Sequence, residues 1–234
     1  MYKYDIHIHT AESSRCGDLK AAEIVRAYKA LGYDGLCITD HLHDFAISIM
    51  DCCNDWQRCM DRFIHGYREA KKAGDAAGID VIFGIELRFT ENDNDFLVFG
   101  VDETWLRANP YVCHMRHEDF FHAFGDQALI LQAHPFRGEH PILTSCLHGI
   151  EVINGNPRHD SRNDAALELA LTHPSLLPVC GSDTHKRGDE GQAALLFPYR
   201  IHDSQEMKRA VETRSYSLWC PAHPEIIARC GGLS

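Results

Sequence analysis

No stretch of this 234-residue chain approaches the length of unbroken apolar sequence that a membrane span requires, and no apolar signal-like region precedes its first strand. A bilayer is therefore not expected as its environment, and the cytoplasm is the expected compartment. Basic residues are in short supply as well: 23 Lys and Arg face 34 Asp and Glu, a formal net charge of −11. Such a surface repels polynucleotides and anionic membranes at long range, which disfavours nucleic acid as a partner and leaves room only for a local cationic pocket around a small anion. Low-complexity tracts, short repeats and linker-like segments are missing, so a single domain over 1–234 is expected. Cys-x-x-Cys pairs are missing too. The ten cysteines are scattered and read as reduced thiols, mostly in the core, with Cys37 and Cys180 inside apolar strand-like runs.

What is present begins at Tyr4-Asp5-Ile6-His7-Ile8-His9-Thr10. Apolar and polar residues alternate there, and an extended chain turns residues i and i+2 to one face, so His7 and His9 project together. Two convergent neutral imidazoles are a bidentate start for Zn²⁺, Fe²⁺ or Mn²⁺.

The same theme recurs along the chain. A helix is expected over Lys20 to Leu31, stopped by Gly32; Gly35 to Ile38 is a strand leading into Thr39-Asp40-His41; one long helix follows between Asp55 and Ala77. Val81 to Ile85 is a strand ending at Glu86, and Phe96 to Phe99 a strand ending at Gly100. Helical sequence lies near His117 to Phe124. Ala128 to Leu131 runs into Gln132-Ala133-His134-Pro135, and Ile150 to Ile153 runs into Asn154-Gly155-Asn156. A helix over Asp164 to Leu171 precedes the strand Leu177 to Cys180, which ends in Gly181-Ser182-Asp183-Thr184-His185. A last helix starts near Ser204, where Asp203 and Glu206 have capping-box spacing. Seven strands, most of them followed by helices, predict an α/β fold with a parallel sheet, and polar groups arriving from several strand ends point to a distorted seven-stranded (β/α)7, TIM-like barrel with a metal site at the C-terminal ends of its strands.

His7, His9, His41, Glu86, His134, Asp183 and His185 are too many donors for one ion, and a carboxylate such as Glu86 can bridge two. The pieces His7-Ile8-His9-Thr10, Thr39-Asp40-His41, Gly84-Ile85-Glu86, Ala133-His134-Pro135 and Gly181-Ser182-Asp183-Thr184-His185, in this order, closely resemble the motifs of the PHP (polymerase and histidinol phosphatase) family of phosphoesterases, over roughly positions 4 to 200. The resemblance implies a distorted seven-stranded barrel holding two or three divalent ions (Zn, Mn or Fe). It assigns His7, His9, Glu86 and Asp183 to a first metal, Glu86 and His134 to a second, and His41 and His185 to a third. Two departures stand out. Where members of the family usually have a His or Asp shortly after the opening motif, this chain has Ser14, Arg15 and Cys16; where many have a histidine at the end of the fourth strand, it reads Asp95-Phe96-Leu97-Val98-Phe99-Gly100. Cys16 and Asp95 are the candidate replacements.

Arg137, three residues beyond His134, is a candidate for holding a substrate phosphate, the plain alternative being a surface ion pair with Glu139. Asp5 and Asp40 are candidates for orienting the histidines, and Asn154 and Asn156 for lining the site's mouth. His43, His65, His114, His117, His122 and His173 fall in loop or helical sequence and are not counted as ligands. The expected activity is hydrolysis of a small phosphomonoester, as in a histidinol-phosphatase-like enzyme, by metal-bound hydroxide, with His41 or His185 protonating the leaving alkoxide if the third metal is absent. The alternatives are a phosphodiesterase or nuclease, which the charge disfavours, and a non-catalytic metal-binding module. Selectivity among phosphoesters is expected in 46–55 and 158–162.

Overall fold

Glycine 84 decides how the chain is divided. The computed structural model describes residues 1–50, 52, 55–139 and 141–231, and in it the expected strand over 81–85 is broken there into two, β4 (Asp80–Phe83) and β5 (Ile85–Arg88), which join different sheets. A Cβ at Gly84 would lie 2.6 Å from the Phe99 ring, so the crossing point admits no side chain.

The elements before it are β1 (Tyr2–Asp5), α1 (Ala21–Ala30), β2 (Gly35–Ile38), β3 (His41–Leu42), α2 (Asp44–Ile49), α3 (Trp56–Phe63) and α4 (His65–Ala77). After it come β6 (Asp95–Phe99), α5 (Glu103–Ala108), a 3-10 turn (Val112–His114), α6 (His117–Phe124), β7 (Leu129–Gln132), β8 (Gly149–Asn154), α7 (Asn163–Thr172), β9 (Leu177–Gly181), β10 (Ala194–Phe197), α8 (Ser204–Glu212), β11 (Ser217–Trp219) and α9 (Pro224–Cys230). The expected single helix between Asp55 and Ala77 is two, α3 and α4, meeting at Ile64. The capping signal before α8 is realised, since Asp203 accepts a hydrogen bond from the Glu206 backbone and Glu206 one from that of His202.

Pairing among the described residues gives two mixed sheets rather than one closed ring of seven parallel strands. The first has the order β11-β10-β1-β2-β4 and the second β3-β5-β6-β7-β8-β9. Strands β1, β2 and β4 run parallel, as do β3 with β5 and β7, β8 and β9 together. β6 runs antiparallel to both β5 and β7, and β10 antiparallel to β1 and β11. The expected all-parallel sheet fails at β6 because residues 89–94 between β5 and β6 can close only a hairpin, whereas a parallel crossover needs a dozen residues or more.

The strands read as unbroken apolar runs because both faces are covered: Leu36, Cys37, Ile82, Leu97, Leu131, Val152 and Val179 are fully buried. Helices α1 and α4 pack over one face, with Ile24, Val25, Tyr28 and Ala70 inside; α3, α5 and α6 cover another with Met60, Phe63, Leu106 and Phe120. Cys37 and Cys180 lie in the core as expected, but the reading of all the cysteines as free thiols is corrected at one pair. Cys52 and Cys59 form a disulfide across the start of α3, their Cα atoms 5.2 Å apart, a proximity created by the helix entry and not by any Cys-x-x-Cys spacing. Among the described residues no helix is long and apolar enough to cross a membrane.

Candidate metal centre

Beyond the end of β1 the chain stays extended, and a parallel bridge between Ile8 and Thr184 brings it against the chain leaving β9. Gly181 allows this approach: a Cβ there would sit 2.5 Å from that of His7. His7 and His9 therefore reach the same pocket as Asp183 and His185, with His7 and His9 both fully buried. From the other side, the parallel register of β3 and β5 places His41 directly beside Glu86. His134 follows β7. Two of these residues hold positive backbone φ angles, 28° at His134 and 54° at Asp183, conformations that cost non-glycine residues on the order of 1–3 kcal/mol and gather at functional sites.

The seven expected donors form one connected cluster organised by two carboxylates. Glu86 Oε1 lies 3.1 Å from His7 Nε2 and 3.2 Å from His134 Nε2, while its Oε2 lies 2.6 Å from His41 Nδ1 and 3.3 Å from His9 Nε2. Each oxygen thus faces a different pair of imidazoles, the arrangement of a carboxylate able to span two ions. Asp183 Oδ1 lies 3.3–3.4 Å from ring nitrogens of His7, His9 and His185. His9 stacks between His41 and His185, with centroids 4.3 and 4.1 Å away. Four triads at this cluster can each offer convergent atoms to one ion: His7, His9 and Asp183; His7, Glu86 and His134; His9, His41 and His185; and His41, Glu86 and Asp95. His9 is shared between two of them.

The residues fit metal ions by what they leave unsatisfied. His7 Nε2, both nitrogens of His9, His41 Nδ1 and Glu86 Oε2 are buried without a hydrogen-bond partner, although carboxylates and imidazoles are close by. Buried polar atoms are almost always paired, so lone pairs that approach one another without aligned hydrogen bonds mark a cation's place. Electrostatics agrees. Despite burial, Asp183, Glu151 and Glu86 hold the His7 pKa well above the ordinary imidazole value, whereas burial and the neighbouring His185 and His41 push His9 well below it. Glu86 and Asp183 are held well below the usual carboxylate range against the opposing effect of burial, by His41 and His7 for Glu86 and chiefly by His7 for Asp183. Metal ions would take over the neutralising role that imidazolium plays here.

Several expectations about the supporting residues change. Arg137 pairs not with Glu139 but with Asp183 Oδ2, to which its NH1 donates at 2.8 Å, and with Asn154 and Ser161. Asp5 and Asp40 hydrogen-bond no ligand imidazole. Asp5 accepts from the His7 and Ser182 backbones and from Tyr28, and Asp40 from Thr10 and Ser14; burial raises both carboxyls to about 6. The residue that orients a ligand ring is Glu151, which sequence reasoning passed over. Its Oε1 is 3.0 Å from His7 Nδ1, and its Oε2 accepts from the His134 backbone and the Asn154 amide. The available signal was an acid in the apolar run Gly149–Asn154. Asn156 donates to the Asp183 carbonyl. Against burial, which would raise it, the neighbouring His185 and His41 pull the Cys16 thiol down to about 6. Asp95 sits at the start of antiparallel β6, so that this strand offers the site its first residue and not Gly100; it is 3.9 Å from His134 Nε2 and gripped by Arg88 at 2.7–2.8 Å. His43 caps α2 by accepting from the Ala46 backbone.

A model of the PHP domain matches residues 5–193. The chain belongs to the PHP family. No curated protein matches it at a significant level. Among solved structures it resembles a two-domain protein from Bacteroides vulgatus containing a predicted PHP-like metal-dependent phosphoesterase, with TM-score 0.63 and 21% identity over 94% of this chain; the match covers 64% of that longer protein. A protein assigned as a metal-dependent phosphoesterase from Bifidobacterium adolescentis matches with TM-score 0.51 and 17% identity, over 91% of this chain and 96% of that one. An amidohydrolase from Chromobacterium violaceum, solved with sulfate and no metal, matches with TM-score 0.55 and 18% identity, over 95% and 99%. These likenesses carry the fold. Family membership and the donor clusters together fit a metal-dependent hydrolase.

Proposed function

We propose that this PHP protein is a phosphatase that hydrolyses a small phosphomonoester at a di- or trinuclear site. The observation that carries the reading is the set of buried, unpartnered donors converging on Glu86 and Asp183 beside an open cleft of about 890 Å³. His7, His9, Asp183 and Glu86 would hold one ion, Glu86 and His134 a second, and His41 and His185 a third, with Cys16 near the last and Asp95 grouped with His41 and Glu86 at the cluster's edge. Bound divalent ions would supply an activated water and neutralise charge on the phosphoryl oxygens.

The chain's own groups do the rest. Glu151 fixes which nitrogen of His7 faces the cluster, since Nδ1 is already committed to its carboxylate. Arg137 holds Asp183 in place and adds positive charge where a phosphate would sit. Arg15, Arg62 and Arg88 line the cleft together with Glu12 and Asp61; Arg88 is committed to Asp95, so Arg15 and Arg62 are the cations on its wall left to meet a substrate anion. His41 and His185 are the groups within reach to deliver a proton to a leaving alkoxide in a dinuclear form. The cleft also offers His43, Phe45, Ala46, Ile49 and Met50 to an apolar portion of the substrate; the first half of the expected 46–55 selectivity segment, which is helix α2 up to Ile49, lies on its wall, and this supports the reading. Positions 51, 53 and 54 of that segment lie outside the described residues.

The finer fold reading is also a proposal: with β10 and β11 left outside it, the other nine strands form a distorted ring of seven in which β2 with β3, and β4 with β5, each count as one. It is supported by hydrogen bonds from His9 N to Thr184 O and from Thr184 N to His7 O, which join the chain leaving β1 to the chain leaving β9.

The test is turnover of a panel of phosphomonoesters, phosphodiesters and single-stranded DNA by the full chain with Mn²⁺, Zn²⁺ or Fe²⁺. Monoesters should be hydrolysed fastest; preferential cleavage of diesters or DNA would overturn the reading.

A further inference from the structure

Away from the sheet ends, three metal-type side chains meet where the sequence carries no motif. Asp44 opens α2, Cys113 and His114 lie in the Val112–His114 turn, and one donor atom from each lies within 4.8 Å of the others. The thiol is buried, while the carboxylate and imidazole reach solvent and contact each other through Asp44 Oδ1 and His114 Nε2. The geometry is supported from below and beside. The Thr90 backbone donates to the Cys113 carbonyl at 3.0 Å, and the Tyr111 ring stacks on His114 with centroids 5.3 Å apart.

We propose that Asp44, Cys113 and His114 form a second metal site, separate from the cluster at the sheet ends, that binds one Zn²⁺-class ion. A sulfur, a nitrogen and an oxygen donor with an open fourth position suit tetrahedral zinc and exclude the hard ions Mg²⁺ and Ca²⁺, which demand oxygen shells. The competing arrangement is a surface ion pair beside a core cysteine. Against it stands the convergence of three different donor types from two separate elements, with the Cys113 carbonyl held by the Thr90 backbone and the His114 ring backed by Tyr111. On loading, the Cys113 thiol proton would leave to solvent and a metal–sulfur bond replace it, while the proton on His114 Nε2 that faces Asp44 would leave to solvent, or the neutral ring take up its Nδ1–H tautomer, so that Nε2 gives its lone pair. The ion would clip α2 to the Val112–His114 turn. Because Phe45, Ala46 and Ile49 of α2 line the cleft, loading would fix one wall of the site where substrate enters.

The inference is independent of the phosphatase reading, and its test does not use activity. Full-length protein stripped of metal is titrated with Co²⁺, whose thiolate complexes give a near-ultraviolet charge-transfer band that nitrogen and oxygen sites lack. Zinc per chain is counted after dialysis in parallel. All measurements are made in a Cys16→Ser background, which removes the thiol beside the other cluster. The band should be present there, and adding Cys113→Ser should abolish it together with one zinc equivalent. His114→Ala, at an exposed position that folding tolerates, should weaken cobalt binding at least tenfold. Absence of the band in the Cys16→Ser protein, or a band untouched by both further substitutions, would overturn the proposal.

Discussion

The two clusters of metal-type side chains differ in how the chain pays for bringing them together. At the sheet ends His7, His9, Glu86 and Asp183 are essentially without solvent exposure, carried on strand ends whose register is set by apolar neighbours on both faces. Their unsatisfied atoms have no access to water, so an ion there relieves a standing cost of several kcal/mol. The Asp44, Cys113 and His114 group sits on a six-residue helix and a 3-10 turn, and two of its three members can be hydrated. Such a site stabilises nothing until an ion arrives. On the two readings proposed above, the first arrangement is obligatory and serves the chemistry, and the second is conditional, its occupancy following the free ion concentration.

The sharpest way to break this contrast is Glu86→Gln. Its two oxygens face four imidazoles, so the substitution should lower bound metal by more than one equivalent and kcat/KM by roughly 10³-fold or more. Elemental analysis and steady-state kinetics check it; a loss of one equivalent or none would show that the carboxylate does not span two ions. Arg137→Ala comes next, at about 10²-fold in kcat/KM. Because NH1 is bound to Asp183, part of the loss should be recovered at high metal concentration, and Arg137→Lys should restore the charge but not the fork of contacts to Asp183, Asn154 and Ser161. If excess metal restores nothing, the guanidinium acts on substrate alone. Glu151→Gln should cost about 10–100-fold in metal affinity, the usual effect of losing the carboxylate behind a ligating imidazole, with the melting temperature little changed. Metal titration of the variant followed by calorimetry reads both.

These residues also mark where sequence stopped being informative. An apolar run that ends in a polar group is a local pattern, and it located β2, β8 and β9 and the seven donors they and their neighbours bring together. The direction of β6 is not local. It depends on a hairpin closing through residues 89–94, and with it goes the reason that Asp95 rather than a residue near Gly100 faces His134. Glu151 was hidden for a related cause: in a strand buried on both faces, alternation cannot tell a packed position from one that points at a site. The nearest acid in sequence suggested Glu139 for Arg137, but the loop turns the side chain to Asp183, 46 positions away. Cys52 and Cys59 become partners only once α3 winds between them, and His114 becomes a candidate donor only once α2 is laid against its turn.

The smallest expected effect tests whether the cleft wall on α2 serves the buried cluster at all. Phe45 is 58% exposed although it is a large aromatic, its ring lies parallel to that of His43 at a centroid distance of 6.3 Å, and both line the cleft that opens beside His41. An apolar side chain left in solvent at such a place has little to contribute to folding, so Phe45→Ala should leave the melting temperature within about a degree of the parent. If it covers an apolar part of the substrate, covering roughly half of the ring should be worth about 1 kcal/mol, which raises KM about fivefold. That contact is made equally in the ground state and the transition state, so kcat should stay unchanged and the whole effect should appear in KM. Kinetics on the best phosphomonoester of the panel, repeated with inorganic phosphate as a competitive inhibitor, separate the possibilities: phosphate binds at the cluster and its inhibition constant should not move. A fall in kcat, or an equal weakening of phosphate, would mean that the α2 wall shapes the metal centre itself, and the division into an obligatory cluster and a separable wall would fail.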